Sequence, residues 1–204
     1  VMIEMEHSAS TTRDLLDHVR AARGGEIGSL ARLAASDHHT TLRMLDAGLE
    51  GVLLAGADSL AVASDAVAAA RYNPIGMRGV STNSRAADYG GHGMGYGDLL
   101  AAKNRDVVIG LLIEEPGAVE AIEDILGIPG VDFIFLGPAD LSSSMGVAGT
   151  PAHPDVAAAV ERVIKACKAR NVPFGLPLSH PAYPKDAKEL QDLGTKVIIA
   201  GADS

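Results

Sequence analysis

The chain has 204 residues, 47% of them hydrophobic, enough to bury a sizeable core in one domain spanning residues 1–204. A formal charge of -9 and a pI near 5.1 argue against nucleic acid or an anionic membrane as partner. An aromatic content of 3% with no Trp removes the usual stacking platforms for single strands. An anionic substrate would need local positive groups, so each arginine near a strand end is worth noting. No apolar run approaches the ~20 residues of a bilayer span, and no signal peptide opens the chain. The single cysteine, Cys167, allows no internal disulfide and fits a reducing cytoplasm, where it packs on an amphipathic helix.

In chain order, Val1 to His7 alternates apolar and acidic residues and reads as a strand. Thr11 or Thr12 caps a helix through about Arg23, and Gly24-Gly25 breaks it. Ile27 to Leu33 is a second strand carrying Arg32 near its end. Asp37 caps a helix to Leu45, Gly51 to Ala55 is a third strand, and Ser59 to Arg71 is an Ala-rich helix stopped by Asn73-Pro74. Residues 76–97 are irregular and end in the run Gly91-His92-Gly93-Met94-Gly95-Tyr96-Gly97. A dinucleotide fingerprint needs glycine where Tyr96 stands and a strand before it, so that reading is rejected. A mobile or interface-forming loop is expected instead.

After a short helix near Asp98 to Lys103 comes the most informative stretch. An apolar run, Gly110 to Ile113, ends in Glu114-Glu115; one helix-length segment follows; then Val131 to Leu136 delivers Gly137-Pro138-Ala139-Asp140-Leu141. Such a βαβ unit puts parallel strands side by side, so Glu114 and Asp140 emerge at the same C-terminal edge. Neighbouring strands lie roughly 5 Å apart, and two carboxylates that close call for a cation. The plainer alternative makes Asp140 the cap of a helix beginning at Leu141, and Glu115 a cap before Pro116. A helix from Pro154 to Arg170, a strand from Pro173 to Leu178, a helix near Pro184 to Leu193 and a strand from Lys196 to Ala200 complete the reading.

Strand and helix alternate throughout, which indicates an α/β protein with a parallel sheet. Seven strands fall one short of a TIM (β/α)₈ barrel. The expectation is such a barrel lacking its first βα unit and its last helix, with a doubly wound open sheet as the alternative. Chemistry on a barrel sits at the C-terminal strand ends, here Glu4, Glu6, His7, Arg32, Glu114 and Gly137 to Asp140. Each has an innocent explanation: His7 as a satisfied loop histidine, Arg32 as a structural partner of Glu6. The lysines lie on helices or at the opposite edge, no Gly-x-Ser-x-Gly elbow exists, and Cys167 is misplaced for a nucleophile. Metal-assisted chemistry remains.

Several motifs together carry a resemblance: Glu6-His7; Arg32 with Leu45-Asp46-Ala47-Gly48; Arg71-Tyr72-Asn73-Pro74-Ile75-Gly76-Met77-Arg78-Gly79; Ile113-Glu114; Gly130-Val131-Asp132; Gly137-Pro138-Ala139-Asp140-Leu141; and His153-Pro154. The chain resembles, over essentially its whole length, the HpcH/HpaI family of class II metal-dependent pyruvate aldolases, which have a barrel of the phosphoenolpyruvate/pyruvate type. The resemblance implies an aldehyde-lyase that reversibly cleaves a 4-hydroxy-2-oxo acid to pyruvate and an aldehyde through a metal-bound pyruvate enolate. It implies Glu114 and Asp140 as ligands of Mg²⁺ or Mn²⁺, with Co²⁺ also suitable; His7 as acid/base; and Arg32 facing the enolate oxygen. Backbone N–H groups of the Gly137-Pro138-Ala139-Asp140 stretch, near Ala139 and Asp140, would hold the pyruvyl carboxylate. Asp46 would enter a neighbouring subunit's site in a homohexamer, and the aldehyde half would face Arg78, Arg85 and Tyr89. Three departures stand out: Leu112 where the family usually has Gln; Leu33 and the region around Ala55-Gly56 where prolines are common; and Glu4 where Asp is common. A CoA-thioester lyase of the citrate lyase β-like branch and a degenerate binding-only paralogue are the rival readings.

Overall fold

A computed structural model describes residues 1–91 and 93–201; His92, in the glycine-rich run, lies outside the described residues. The strands are β1 (Met2–Glu4), β2 (Leu30–Ala34), β3 (Gly51–Ala55), β4 (Val108–Ile113), β5 (Phe133–Leu136), β6 (Phe174–Pro177) and β7 (Val197–Ile199). They follow one another in the sheet in chain order, and β1/β2, β2/β3, β5/β6 and β6/β7 pair in parallel. The expected parallel α/β architecture with seven strands is observed. A doubly wound sheet would reverse its strand order at a switch point, and this order has no reversal.

Helices α1 (Thr12–Gly24), α2 (His38–Asp46), α3 (Leu60–Ala70), α4 (Tyr96–Asp106), α5 (Pro116–Glu120), α6 (Ile122–Ile125), α7 (Pro138–Ser144), α8 (Pro154–Arg170) and α9 (Ala187–Asp192) supply the connections, with a 3₁₀ segment at Arg85–Gly90. Local chemistry explains their starts. Thr11 and Asp14 form a reciprocal capping box on α1, Asp37 accepts from the Thr40 N–H on α2, and Asp186 with Glu189 repeats the box on α9. Several boundaries differ from those read in the sequence. β1 stops at Glu4 because its carboxylate turns back to accept the N–H groups of Glu6 and His7 at 2.7 and 3.0 Å. β2 begins three residues late, since Gly25 and Ile27 donate to the last carbonyls of α1. The segment after β4 is two short helices broken at Ala121, and α4 runs longer than expected.

The chain forms two compact units. The first holds Val1–Ala55 and Ser64–Gly110, the second Gly56–Ala63 and Leu111–Ser204. In the first, Leu15 and Val19 of α1, Met44 and Leu45 of α2, and Val52, Leu53 and Leu54 of β3 are fully buried. Arg71, also buried, donates to the carbonyls of Asn104 and Val107 at 2.6 and 2.7 Å and so ties the end of α3 to the end of α4. In the second, Ile113, Ile122, Ile125, Ile134 and Leu136 lie with Val156, Val160, Val163 and Cys167 of α8 in the core. Burial pushes the Cys167 thiol up to about 12, which removes it as a nucleophile, as its helical position implied. No described helix is long and apolar enough to cross a membrane.

Gly175 in β6 shows how tightly the second unit packs: a Cβ there would lie 2.5 Å from Phe135 Cδ2 and 2.8 Å from the Val197 carbonyl. Gly175→Ala is expected to lower unfolding stability by about 1–3 kcal/mol, measured by urea denaturation with an unchanged slope. A neutral outcome would mean that this part of the sheet yields more easily than its packing indicates.

Candidate active site

In the first unit, strand register sets the arrangement of the charged groups. In the parallel pair β1/β2, Glu4 lies opposite Arg32, and every second residue of β2 is partly exposed, which puts the Arg32 side chain on an accessible face. Arg32 Nη2 and Nε reach Glu4 Oε2 at 2.5 and 2.6 Å, and Nε lies 3.5 Å from Glu6 Oε2. Arg32 therefore pairs first with Glu4, and only secondarily with Glu6. Glu6 Oε2 is buried without a hydrogen-bond partner, 3.8 Å from His7 Nε2. The His7 side chain itself is 64% exposed and free to meet a ligand. Burial by itself raises the Glu4 carboxyl, but the bonds from Arg32, His7 and Glu6 and the guanidinium charge outweigh it and hold the group below its ordinary value.

Asp46 has a different setting. Its Oδ1 accepts from Arg78 Nη2 at 2.6 Å, the Arg78 side chain is 1% exposed, and the guanidinium stacks 4.5 Å from the Tyr72 ring centre. Arg78 is thus engaged by Asp46 and the Tyr72 ring. Arg85 lies over Tyr89, 5.8 Å from its ring centre.

In the second unit, Glu114 follows β4 and Gly137 follows β5, joined by the Gly137 N–H donating to the Ile113 carbonyl at 3.0 Å. Glu114 Oε1 accepts the backbone N–H of Gly56 at 3.0 Å. A Cβ at Gly137 would lie 3.1 Å from Glu114 Cβ, 3.2 Å from its Oε2 and 3.3 Å from Leu112 Cδ1. The Gly137 φ of -102° is open to any residue, so the need for glycine there is spatial: it leaves the carboxylate its place. Leu112, 3% exposed, forms an apolar wall of that space. α7 begins at Pro138 with Gly137 as its N-cap, so Asp140 sits exposed in the first turn and is not the cap. The Ala139 and Asp140 N–H groups there have no intrahelical acceptor. Glu115 makes no cap bond either; it accepts the Ser144 hydroxyl at 2.7 Å.

Among the described residues no three His, Cys, Asp or Glu side chains gather into a metal cluster. Glu114, oriented by a backbone N–H and given room by a glycine, is an oxygen donor of the kind a hard cation takes. Sequence reasoning missed the Gly56 N–H. The available signal was the loss of the usual proline around Ala55-Gly56: a glycine at φ +74° supplies a donor that proline lacks.

The sequence matches the family described as HpcH/HpaI aldolase/citrate lyase over residues 1–203. The chain belongs to this family. It is 38% identical to a 2-dehydro-3,6-dideoxy-6-sulfogluconate aldolase of Pseudomonas putida over 86% of this chain and 68% of that protein. It is 30% identical to a 5-keto-4-deoxy-D-glucarate aldolase of Salmonella arizonae over 100% of this chain and 77% of that one. A solved HpcH/HpaI aldolase/citrate lyase family protein from Burkholderia cenocepacia shares its fold with a TM-score of 0.86 at 31% identity, covering 97% of this chain and 76% of that one. The relatives are named aldolases, carbon–carbon lyases, in agreement with the aldolase reading of the HpcH/HpaI motifs.

Because the Glu4 pKa is depressed, its ionised form contributes stability above its ordinary pKa, and that contribution disappears as pH falls through the folded value. Glu4→Gln should therefore unfold more easily than the unsubstituted protein near pH 7 and lose that difference in strong acid, below the depressed pKa. Urea titrations under the two conditions check this; a stability gap that persists in acid would contradict it.

Proposed function

We propose that this HpcH/HpaI family member is a divalent-metal-dependent aldolase on a barrel-type scaffold that reversibly cleaves a 4-hydroxy-2-oxo acid into pyruvate and an aldehyde. The observation that carries the proposal is the Glu114 carboxylate held by the Gly56 N–H in the space that Gly137 leaves open. Glu114 and Asp140 would hold Mg²⁺ or Mn²⁺, as all-oxygen donors favour. The bound ion would supply Lewis-acid polarisation of the 2-oxo acid and stabilise negative charge.

The chain's own groups do the rest. His7, exposed beside Glu6, takes the proton from the C4 hydroxyl. The C3–C4 bond breaks, the aldehyde departs, and its electron pair remains on the pyruvyl half as an enolate. Glu4 engages Nε and Nη2 of Arg32, which fixes the guanidinium and leaves Nη1 to face the enolate oxygen. The Ala139 and Asp140 N–H groups at the start of α7 receive the pyruvyl carboxylate. Protonation at C3 completes pyruvate. The named activities of the Pseudomonas and Salmonella relatives, both cleaving deoxy-oxo sugar acids by their names, support this substrate class.

A panel of 4-hydroxy-2-oxo acids assayed for pyruvate with Mg²⁺ or Mn²⁺ tests the reading. Glu114→Ala, Asp140→Ala and EDTA are each expected to abolish release, and full turnover in EDTA would refute the metal role. His7→Ala should lower kcat by roughly 100-fold or more while changing pyruvate inhibition little. An unaltered kcat would remove His7 from the mechanism.

A further inference from the structure

Helix α7 carries Asp140 in its first turn and Ser144 as its last residue. Four positions apart on a helix, two side chains stand one above the other on the same face. The Ser144 hydroxyl donates to Glu115 Oε1 at 2.7 Å, and Glu115 follows Glu114 directly beyond β4. One hydrogen bond therefore joins the residue beside one carboxylate of the proposed metal pair to the helix face that carries the other. A second tie sits at the opposite end of the helix, where the Gly137 N–H donates to the Ile113 carbonyl at 3.0 Å. Residues 113 and 115, on either side of Glu114, are thus bonded to residues 137 and 144, on either side of Asp140. A single tie would leave a seven-residue helix able to pivot about it; two fix its direction against the strand end.

Glu115 gives up a nearer use of its charge to make this bond. It occupies the N-cap position of α5, with Pro116 as the first helical residue, where an acid ordinarily turns to the unpaired N–H groups of its own first turn. It makes no cap bond and reaches a hydroxyl 29 residues along the chain instead. A hydroxyl bonded to an ionised carboxylate is among the stronger side-chain hydrogen bonds. Contacts of this kind, one step out from the atoms that grip an ion, orient the ligands, and losing one typically costs about 10- to 100-fold in metal affinity.

We infer that Glu115 and Ser144 are positioning residues of the metal site, their hydrogen bond setting α7 against the end of β4 so that Asp140 is presented to the ion that Glu114 holds. The inference rests on the reading of Glu114 and Asp140 as the pair that binds the divalent metal, and the test separates the two.

Mn²⁺ is titrated into the full chain without substrate, and electron paramagnetic resonance of the free ion gives the dissociation constant. The unsubstituted chain is expected to bind Mn²⁺ saturably and Glu114→Ala to lose it; no binding by the unsubstituted chain would sink the metal reading and this inference with it. Ser144→Ala and Glu115→Ala should each raise the dissociation constant roughly tenfold. The double variant should be no weaker than either single one, because all three remove the same bond. Ser144→Thr, which keeps the hydroxyl, and Glu115→Gln, which keeps an acceptor oxygen without the charge, should stay within about twofold of the unsubstituted chain. Ser143→Ala, exposed one residue earlier on α7, should change nothing. The bond is exposed, so circular dichroism melts of the variants should match that of the unsubstituted chain. Unchanged affinity in Ser144→Ala, or equal weakening by Ser143→Ala, would overturn the inference and leave the metal reading standing. Glu115→Gln as weak as Glu115→Ala would also overturn it, by assigning the effect of Glu115 to its charge.

Discussion

The parallel register of β1 against β2 is the constraint on which the first unit's chemistry rests, because it sets Glu4 directly across from Arg32. From that pairing follow the short bonds between guanidinium and carboxylate, the early end of β1, and the turn that brings Glu6 back beside Arg32 with His7 next to it in the chain. One carboxylate does two tasks. Its Oε2 immobilises the arginine and its Oε1 folds the chain that carries the histidine. An aspartate, one methylene shorter, stands more commonly at this position in the family, and the longer Glu4 spans both sets of donors here. A slip of one residue in β1 would turn the Glu4 side chain to the opposite face and dismantle the group.

The second unit solves a related problem with backbone in place of side chains. Glu114 is steadied by a peptide N–H and accommodated by a glycine that needs no unusual φ, so its position depends on space and on β4 lying beside β5. Leu112 fits the same logic. Where the family commonly places a glutamine, this chain has a buried apolar wall beside Gly137, which cannot hydrogen-bond to a ligand or a water. The wall narrows the polar contacts available around Glu114.

Arginines divide the molecule's electrostatics into distinct uses. Arg71 and Arg78 are buried and structural, satisfying carbonyls and an aspartate. Arg32 is half-buried and held in place, the state in which a guanidinium stabilises developing charge without reorganising. Among the described residues, Arg43 reaches the Thr12 hydroxyl and Arg85 the Tyr89 ring in place of an acid. A net charge of -9 therefore says little about local sites, and the absence of a basic composition does not prevent a small anion from finding guanidinium groups.

Local chemistry was legible in the sequence: alternating strands and helices, the caps at Thr11 and Asp37, the limits of β3 and α8, and the strand-end residues from Glu4 to Asp140. These depend on residues close together in the chain, where propensity and spacing act directly. Contacts between distant residues were not legible: that Arg32 favours Glu4 over Glu6, that Arg78 serves Asp46, and that Gly56 donates to Glu114. Only the tertiary structure decided them. Each is a choice among several partners of the right type, made by strand register and by the space a glycine leaves, and neither quantity is written in the order of the residues alone.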